Sequence, residues 1–122
     1  PFKTINRTNA KNLINESNPI LLILAIGIIQ PIFEEVLFRG LLFKGLEKKW
    51  GGIKTVAFTS IVFAGLHIQY GWKVFLLMTL PMGLILGIAR LKTNSLLAPI
   101  IIHCTNNTLA ITAQFFVISE NI

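Results

Sequence analysis

The sequence contains no aspartate, and its five acidic residues are all glutamate. Charged residues make up only 13% of the 122 residues, whereas soluble globular domains carry roughly 25%. A chain of this length cannot hide so much apolar surface in a small soluble core, because small domains leave much of their surface exposed. The scarcity of charge therefore excludes an ordinary soluble domain and favours a protein that is solvated by lipid.

Cysteine is nearly absent as well. Cys104 is the single cysteine, so no disulfide can form within the chain. A cysteine protease that uses Cys104 is disfavoured, because the adjacent His103 points to a different face of a helix. The simpler interpretation of Cys104 is a small buried apolar residue.

Long apolar runs are what the sequence has in place of charge, and its mean hydropathy is +0.70. These runs predict helices over about 19–46, 53–68, 73–91 and 95–117, each long enough to cross a bilayer core. Period-two alternation is missing, which argues against strands. The expected fold is an all-α membrane protein, a bundle of about four transmembrane helices. Residues 1–18 are expected to form a polar loop or interfacial segment, and residues 19–122 the core, with further helices expected upstream.

Two local signals shape these helices. Pro31 removes a backbone donor inside the first helix and predicts a kink there. Gly83 and Gly87 are four residues apart on the third helix, a spacing that lets helices approach closely in lipid.

The net charge of +6 comes from basic residues at the ends of the apolar runs. Such residues contact lipid headgroups and set topology, so nucleic acid is not an expected partner. The positive-inside rule predicts that the first and third loops are cytoplasmic. The basic residues counted there are Lys44, Lys48, Lys49, Lys54, Arg90 and Lys92. The expected location is a bacterial cytoplasmic membrane.

Glu34, Glu35 and Arg39 lie within the first predicted helix. An unpaired charge at the bilayer centre costs at least about 2.5–3.5 kcal/mol, so these groups must pair or face a polar cavity. Glu35 and Arg39 are four apart and can form an ion pair, which could be purely structural. Glu34 is turned about 100° away and is the carboxylate left over. Because burial disfavours the charged form of a carboxyl group, Glu34 is suited to accept a proton as a general base.

Three further polar side chains lie inside the later apolar runs. His67 is expected near the end of the second helix, at the same depth as Glu34. His103 and Asn107 share a face of the fourth helix and can both donate hydrogen bonds. Any one of them could simply join helices, a role worth about 0.6 kcal/mol on average. Together with Glu34 they could instead activate water and stabilise an oxyanion, as peptide hydrolysis requires.

Zinc is the alternative reading of the same residues, with Glu34, His67 and His103 as ligands. No HExxH sequence is present, and Asn107 suits an oxyanion donor better than a metal ligand. We therefore expect no cofactor.

Three segments of the chain resemble the motifs EExxxR, FxxxH and HxxxN of the CPBP family of intramembrane proteases (CAAX proteases and bacteriocin-processing enzymes, also called Abi). They are Glu34–Arg39, Phe63–His67 and His103–Asn107, in the family's order and on separate apolar runs. The resemblance covers residues from about 19 to 117 and implies a membrane endopeptidase. By similarity, Glu34 and His67 would activate water, and His103 and Asn107 would form the oxyanion site. Glu35, Arg39 and Phe63 would support them.

The resemblance also implies a peptide or protein substrate that is lipidated or membrane-associated. Some descriptions label the family metalloendopeptidases, but a glutamate mechanism without metal is the one we expect. One alternative is a non-catalytic bacteriocin self-immunity or scaffold protein of the same fold. Another is a proton-coupled transporter that uses Glu34 and His67 as a relay.

Overall fold

The structure is a computed structural model that describes residues 18–121. Four helices account for most of this stretch: α1 (Pro19–Trp50), α2 (Gly52–Gly65), α3 (Trp72–Thr93) and α4 (Leu97–Glu120). Between residues 18 and 121 there is no strand. α1, α3 and α4 are each long and apolar enough to cross a membrane, and α2 is a shorter apolar helix. The predicted all-α membrane fold is confirmed, whereas the predicted loop at 1–18 falls almost wholly outside the described residues.

Helix α1 begins where the sequence predicts and continues beyond the predicted end at Leu46. The side chain of Asn18 accepts the Ile20 N–H at 2.9 Å, which caps the first turn. The helix stops before Gly51, whose φ of +76° lies in the region that favours glycine. Nothing between Leu46 and Gly51 interrupts a helix, so the extra turn is absorbed into α1.

Just before Pro31, where the sequence predicts a kink, α1 has π-helical geometry over Ile23–Ile29. Here the Gln30 N–H donates to the carbonyl of Ala25, five residues earlier. Proline has no N–H to offer. The Ile26 carbonyl is therefore left without either of the backbone donors that a helix would normally supply.

Helix α2 corrects the sequence prediction, which carried the second span to Ile68. The helix ends at Gly65 after 14 residues, which rise only about 21 Å against a hydrocarbon core of about 30 Å. The chain then turns through a short 3₁₀ segment, Ile68–Tyr70, to Gly71 with φ +104°. Apolar Leu66 and Ile68 hide this boundary in the sequence. His67 therefore lies in the turn, not on the helix.

The close approach predicted at the glycine pair occurs between α3 and α2. A Cβ on Gly83 would lie 3.1 Å from the Cα of Ser60, and one on Gly87 would lie 3.0 Å from Val56 Cγ1. Both pairings follow one antiparallel register. Small residues in α3 thus bring α2 against it along most of its length.

The end of α3 corrects a second prediction, in which Arg90 began a loop. Helix α3 continues to Thr93, and Asn94 ends it with φ +49°. Arg90 is only 9% exposed, and its Nε donates to the Arg39 carbonyl at 3.0 Å. The guanidinium also lies 5.1 Å from the ring centre of Phe43. Because it finds partners inside the bundle, Arg90 cannot be counted among the loop charges.

Helix α4 begins at Leu97, whose N–H donates to the side chain of Ser95 at 3.1 Å. The four helices run up and down, with α1 packed against both α2 and α4. Large apolar side chains cover the outside of the bundle. Leu41, Leu77 and Phe116 are 69%, 75% and 67% exposed, as expected for surfaces that face lipid.

Candidate active site

The predicted ion pair between Glu35 and Arg39 is present at the centre of the bundle. Arg39 Nη1 donates to Glu35 Oε1 at 3.1 Å, and both side chains are completely buried. The second terminal nitrogen of Arg39 donates to the Gly83 carbonyl at 2.9 Å, and the guanidinium lies 4.7 Å from the ring centre of Phe63. Arg39 thereby ties α1 to α3 and α2. Arg39 Nε and Glu35 Oε2 have no hydrogen-bond partner among the described residues.

His103 on α4 meets the same carboxylate, a contact that the sequence did not predict. Its Nδ1 lies 2.7 Å from Glu35 Oε1. Because an ionised carboxylate can only accept, His103 Nδ1–H is the donor in this bond. The other ring nitrogen, Nε2, is thereby turned toward Glu34 and lies 3.6 Å from Glu34 Oε2.

Glu34 is held on its other side by its own helix. Gln30, one turn earlier, donates Nε2–H to Glu34 Oε1 at 2.9 Å. The Glu34 side chain is 19% exposed, whereas Glu35 is completely buried. Glu34 has no cation three or four residues away on its helix, and the neutral amide of Gln30 is its partner there.

Asn107 lies one turn from His103 and contacts the disturbed part of α1. Its Nδ2 donates at 3.1 Å to the carbonyl of Ile26, which lacks a backbone donor because of Pro31. Thr108 donates to the neighbouring carbonyl of Gly27 at 3.5 Å. The amide of Asn107 has two N–H groups, so one remains for another acceptor.

His67 is connected to this group through Phe63 and not by a hydrogen bond. Its Nδ1 is 2.8 Å from the carbonyl of Phe63, and because a carbonyl can only accept, Nδ1–H is the donor in this bond. The centre of the Phe63 ring lies 4.9 Å from the centre of the His67 ring and 5.7 Å from that of His103. Phe63 also contacts Phe38 of α1, with ring centroids 5.6 Å apart.

Metal ligation was the alternative for these side chains. Within residues 18–121 no three His, Cys, Asp or Glu side chains are placed so that they could share a metal ion. Glu34 and His103 approach each other, but His67 is directed to the carbonyl of Phe63. The donor set Glu34, His67 and His103 is thus not gathered around one point.

The structure therefore joins Glu34, Glu35, Arg39 and His103 directly, and Asn107 and His67 border them. Sequence reasoning missed Gln30, although its position four residues before Glu34 was a usable signal. It also missed the bond between Glu35 and His103, because sequence spacing carries no information on contacts between distant helices.

Comparison with known proteins places this arrangement in a family. The family described as "Type II CAAX prenyl endopeptidase Rce1-like" matches residues 16–109, which include all of these side chains. The chain belongs to the Rce1-like family. That family is a membrane protease family, and the CPBP resemblance of the three motifs is confirmed at this level.

An uncharacterised 24.3 kDa protein of Escherichia coli resembles the Rce1-like chain as well. The two are 33% identical over 94 residues, which make up 75% of this chain and 43% of that protein. The chain thus spans less than half the length of this relative. No solved structure matches the chain.

Proposed function

We propose that the chain is the catalytic core of an intramembrane endopeptidase in which Glu34 activates water to hydrolyse a peptide bond. The observation that carries this proposal is the position of His103 between two carboxylates. Its Nδ1 is bonded to Glu35 at 2.7 Å, and its Nε2 lies 3.6 Å from Glu34. This is a costly arrangement for a purely structural contact inside a membrane protein, where a buried ionisable group is a functional site by default.

Glu34 is the proposed base. Glu35 is committed to Arg39 and His103, whereas Glu34 keeps one oxygen, Oε2, that only His103 approaches among residues 18–121. Glu34 is also partly exposed, whereas Glu35 is completely buried, and the proposal is that water reaches Glu34 through this opening. A base needs both a free lone pair and a water molecule within hydrogen-bond reach.

His103 is the proposed oxyanion donor. Its bond to Glu35 fixes Nδ1 as a donor, so Nε2 carries a hydrogen only when the ring is an imidazolium. The carboxylates of Glu34 and Glu35 and the guanidinium of Arg39 together carry one excess negative charge. An imidazolium at His103 would neutralise it. Glu35 and Arg39 therefore support catalysis by setting the orientation and charge of His103.

Asn107 and His67 complete the proposed site. The bond to the Ile26 carbonyl holds the Asn107 amide in place, and its remaining N–H can donate to the same oxyanion as His103. The bond from His67 Nδ1 to Phe63 leaves Nε2 as a lone-pair nitrogen that can accept a hydrogen bond from the attacking water.

The reaction then proceeds in two steps. The water oxygen forms a bond to the carbonyl carbon while its proton passes to Glu34, and the carbonyl electron pair moves onto the oxygen as an oxyanion. The oxyanion collapses, the carbon–nitrogen bond breaks, and the proton on Glu34 passes to the leaving nitrogen. Glu34 returns to its carboxylate form, so the cycle consumes one water molecule and nothing else.

The proposed substrates are peptide segments that enter the membrane, and prenylated C-terminal peptides are the first to test because of the family's described activity. Purified protein in liposomes would be incubated with such peptides and with unlipidated ones, and new termini identified by mass spectrometry. Glu34→Gln should abolish cleavage, because the amide keeps the shape of the side chain but cannot take a proton.

The matched control is Glu47→Gln, which neutralises a glutamate near the C-terminal end of α1 and should retain activity. Cleavage that survives Glu34→Gln would overturn the assignment of the base. A folded protein that cleaves none of these peptides would favour the non-catalytic scaffold, and substrate flux without cleavage would favour the transporter.

A further inference from the structure

Gln30 is a polar residue in a place where lipid is expected. The ten residues before it in α1, 20–29, have no polar side chain. Gln30 is nevertheless exposed, as is Ile29 beside it with 52% of its surface accessible. An amide in contact with hydrocarbon is unfavourable unless its polar atoms are bonded.

The partner that Gln30 finds is the proposed catalytic carboxylate. Its Nε2–H donates to Glu34 Oε1 at 2.9 Å, one helical turn along the same face. Phe33 next to Glu34 is 67% exposed, which indicates that this face lies at the edge of the bundle. Gln30 therefore covers the outward oxygen of Glu34, and the inward oxygen, Oε2, is the one that approaches His103.

We propose that Gln30 is a positioning residue for the reaction, which holds Glu34 so that only Oε2 is presented to water and to His103. This inference rests on the proposed role of Glu34 as the base. In this role Gln30 acts through its hydrogen bond to Glu34 and needs no contact with the reacting atoms.

Glutamine suits both states of the catalytic cycle. When Glu34 is ionised, the amide nitrogen donates to it, as the structure has it. When Glu34 has taken a proton, a rotation of the amide presents its oxygen as an acceptor for the new O–H. An apolar residue would do neither, and a fixed cation would favour only the ionised state.

Other groups also act on Glu34, and the test must separate them from Gln30. Glu35 and Arg39 lie on the same helix, His103 faces it from α4, and His67 lies beyond Phe63 in the turn after α2. From α3, Arg90 reaches the backbone of Arg39. None of these is changed by a substitution at position 30.

The test compares Gln30→Met and Gln30→Glu with wild type and with Gln114→Met. Methionine keeps the length of the side chain and removes the hydrogen bond. Gln114 is the matched control, because it is likewise an exposed glutamine on an apolar helix. For each variant, kcat, KM and the pH dependence of kcat are measured in liposomes, with thermal unfolding of the solubilised protein as a check on folding.

Gln30→Met should lower kcat about 10- to 100-fold, the size expected for one hydrogen bond to a charged group, with KM changed by less than about twofold. The acidic limb of its kcat–pH profile should move to higher pH, because the lost hydrogen bond from Gln30 favours the charged carboxylate of Glu34. Gln30→Glu should move the acidic limb further, by about one pH unit or more, since two adjacent carboxylates must share a proton. Gln114→Met should change neither kcat nor the profile.

A Gln30→Met variant with wild-type kcat and pH profile, in a protein that Glu34→Gln inactivates, would overturn the positioning role alone. A change confined to KM would also overturn it and assign Gln30 to substrate binding. If Glu34→Gln itself remained active, the proposed function would fail, whatever Gln30 did.

Discussion

At the scale of single residues, Glu35 is the most constrained group in the bundle. One of its oxygens accepts from Arg39 and from His103, while the other has no partner among the described residues. Buried ion pairs seldom add stability over well-packed apolar residues, but breaking one by removing a single partner is costly. The cluster therefore makes more sense as part of a site than as a device for stability.

We predict that Arg39→Ala is more damaging than the double variant Glu35→Ala/Arg39→Ala. The single substitution leaves a buried carboxylate without its cation and should cost about 3–5 kcal/mol in the free energy of unfolding. The double variant removes both charges and should recover part of that loss. The free energies would be compared by denaturant titration in detergent micelles, with Lys44→Ala as an exposed control. A double variant no more stable than Arg39→Ala would show that the pair is not what holds these residues in place.

At the scale of elements, α1 and α4 approach each other closely at Gly27. Gly27 lies inside the π-helical segment, and a Cβ there would be 2.7 Å from Thr108 Oγ1. If the Thr108 hydroxyl were removed, the nearest atoms of residue 108 would be its Cα and Cβ. They lie 3.5 Å and 3.6 Å from the Cβ added at Gly27, which is an ordinary contact distance. The glycine thus lets the helices come close enough for Asn107 to reach the Ile26 carbonyl.

We therefore predict that Gly27→Ala destabilises the protein by about 1–3 kcal/mol through overpacking, and that Thr108→Ala added to it restores most of the loss. Thermal unfolding of the solubilised variants would measure both effects. The control is Gly45→Ala, since a Cβ on Gly45 meets nothing within 4 Å and alanine favours the helix. If Thr108→Ala gave no recovery, the close approach of α1 and α4 would have another cause.

The helices also indicate how far the sequence can predict such a fold. Apolar runs located α1, α3 and α4, because the length of an apolar run is a local property of the sequence. The end of α2 at Gly65 was missed, since Leu66 and Ile68 are apolar and could continue a helix. Arg90 was placed in a loop, because its acceptor, the carbonyl of Arg39, is distant in sequence. In the site, the i,i+4 pair was predictable, whereas the contact of Glu35 with His103 depends on tertiary packing.

At the scale of the whole molecule, the orientation in the membrane stays a prediction. With Arg90 buried, the exposed cations at the helix ends beside the first and third loops are Lys44, Lys48, Lys49, Lys54 and Lys92. On the opposite side Lys73 is exposed, and Lys3, Arg7 and Lys11 fall outside the described residues. The larger number of basic residues beside the first and third loops still favours a cytoplasmic position for them.

Labelling of single cysteines would measure this orientation. In a variant with Cys104→Ser, we expect Lys49→Cys to react with a membrane-impermeant maleimide only after bacterial cells are permeabilised. Lys73→Cys should react in intact cells. The reverse pattern would place the first loop outside the cytoplasm and contradict the orientation inferred from charge.

The central claim is that Glu34 activates water directly, without a metal ion. It is tested most directly by cleavage of a susceptible peptide after the purified protein has been stripped of metal with a chelator and its metal content measured. We predict that the stripped wild type retains its rate and that Glu34→Gln has none, while both proteins unfold at similar temperatures. Activity that disappeared on chelation and returned only with added zinc would contradict the claim, and Glu34, His67 and His103 would then have to be reassigned as ligands.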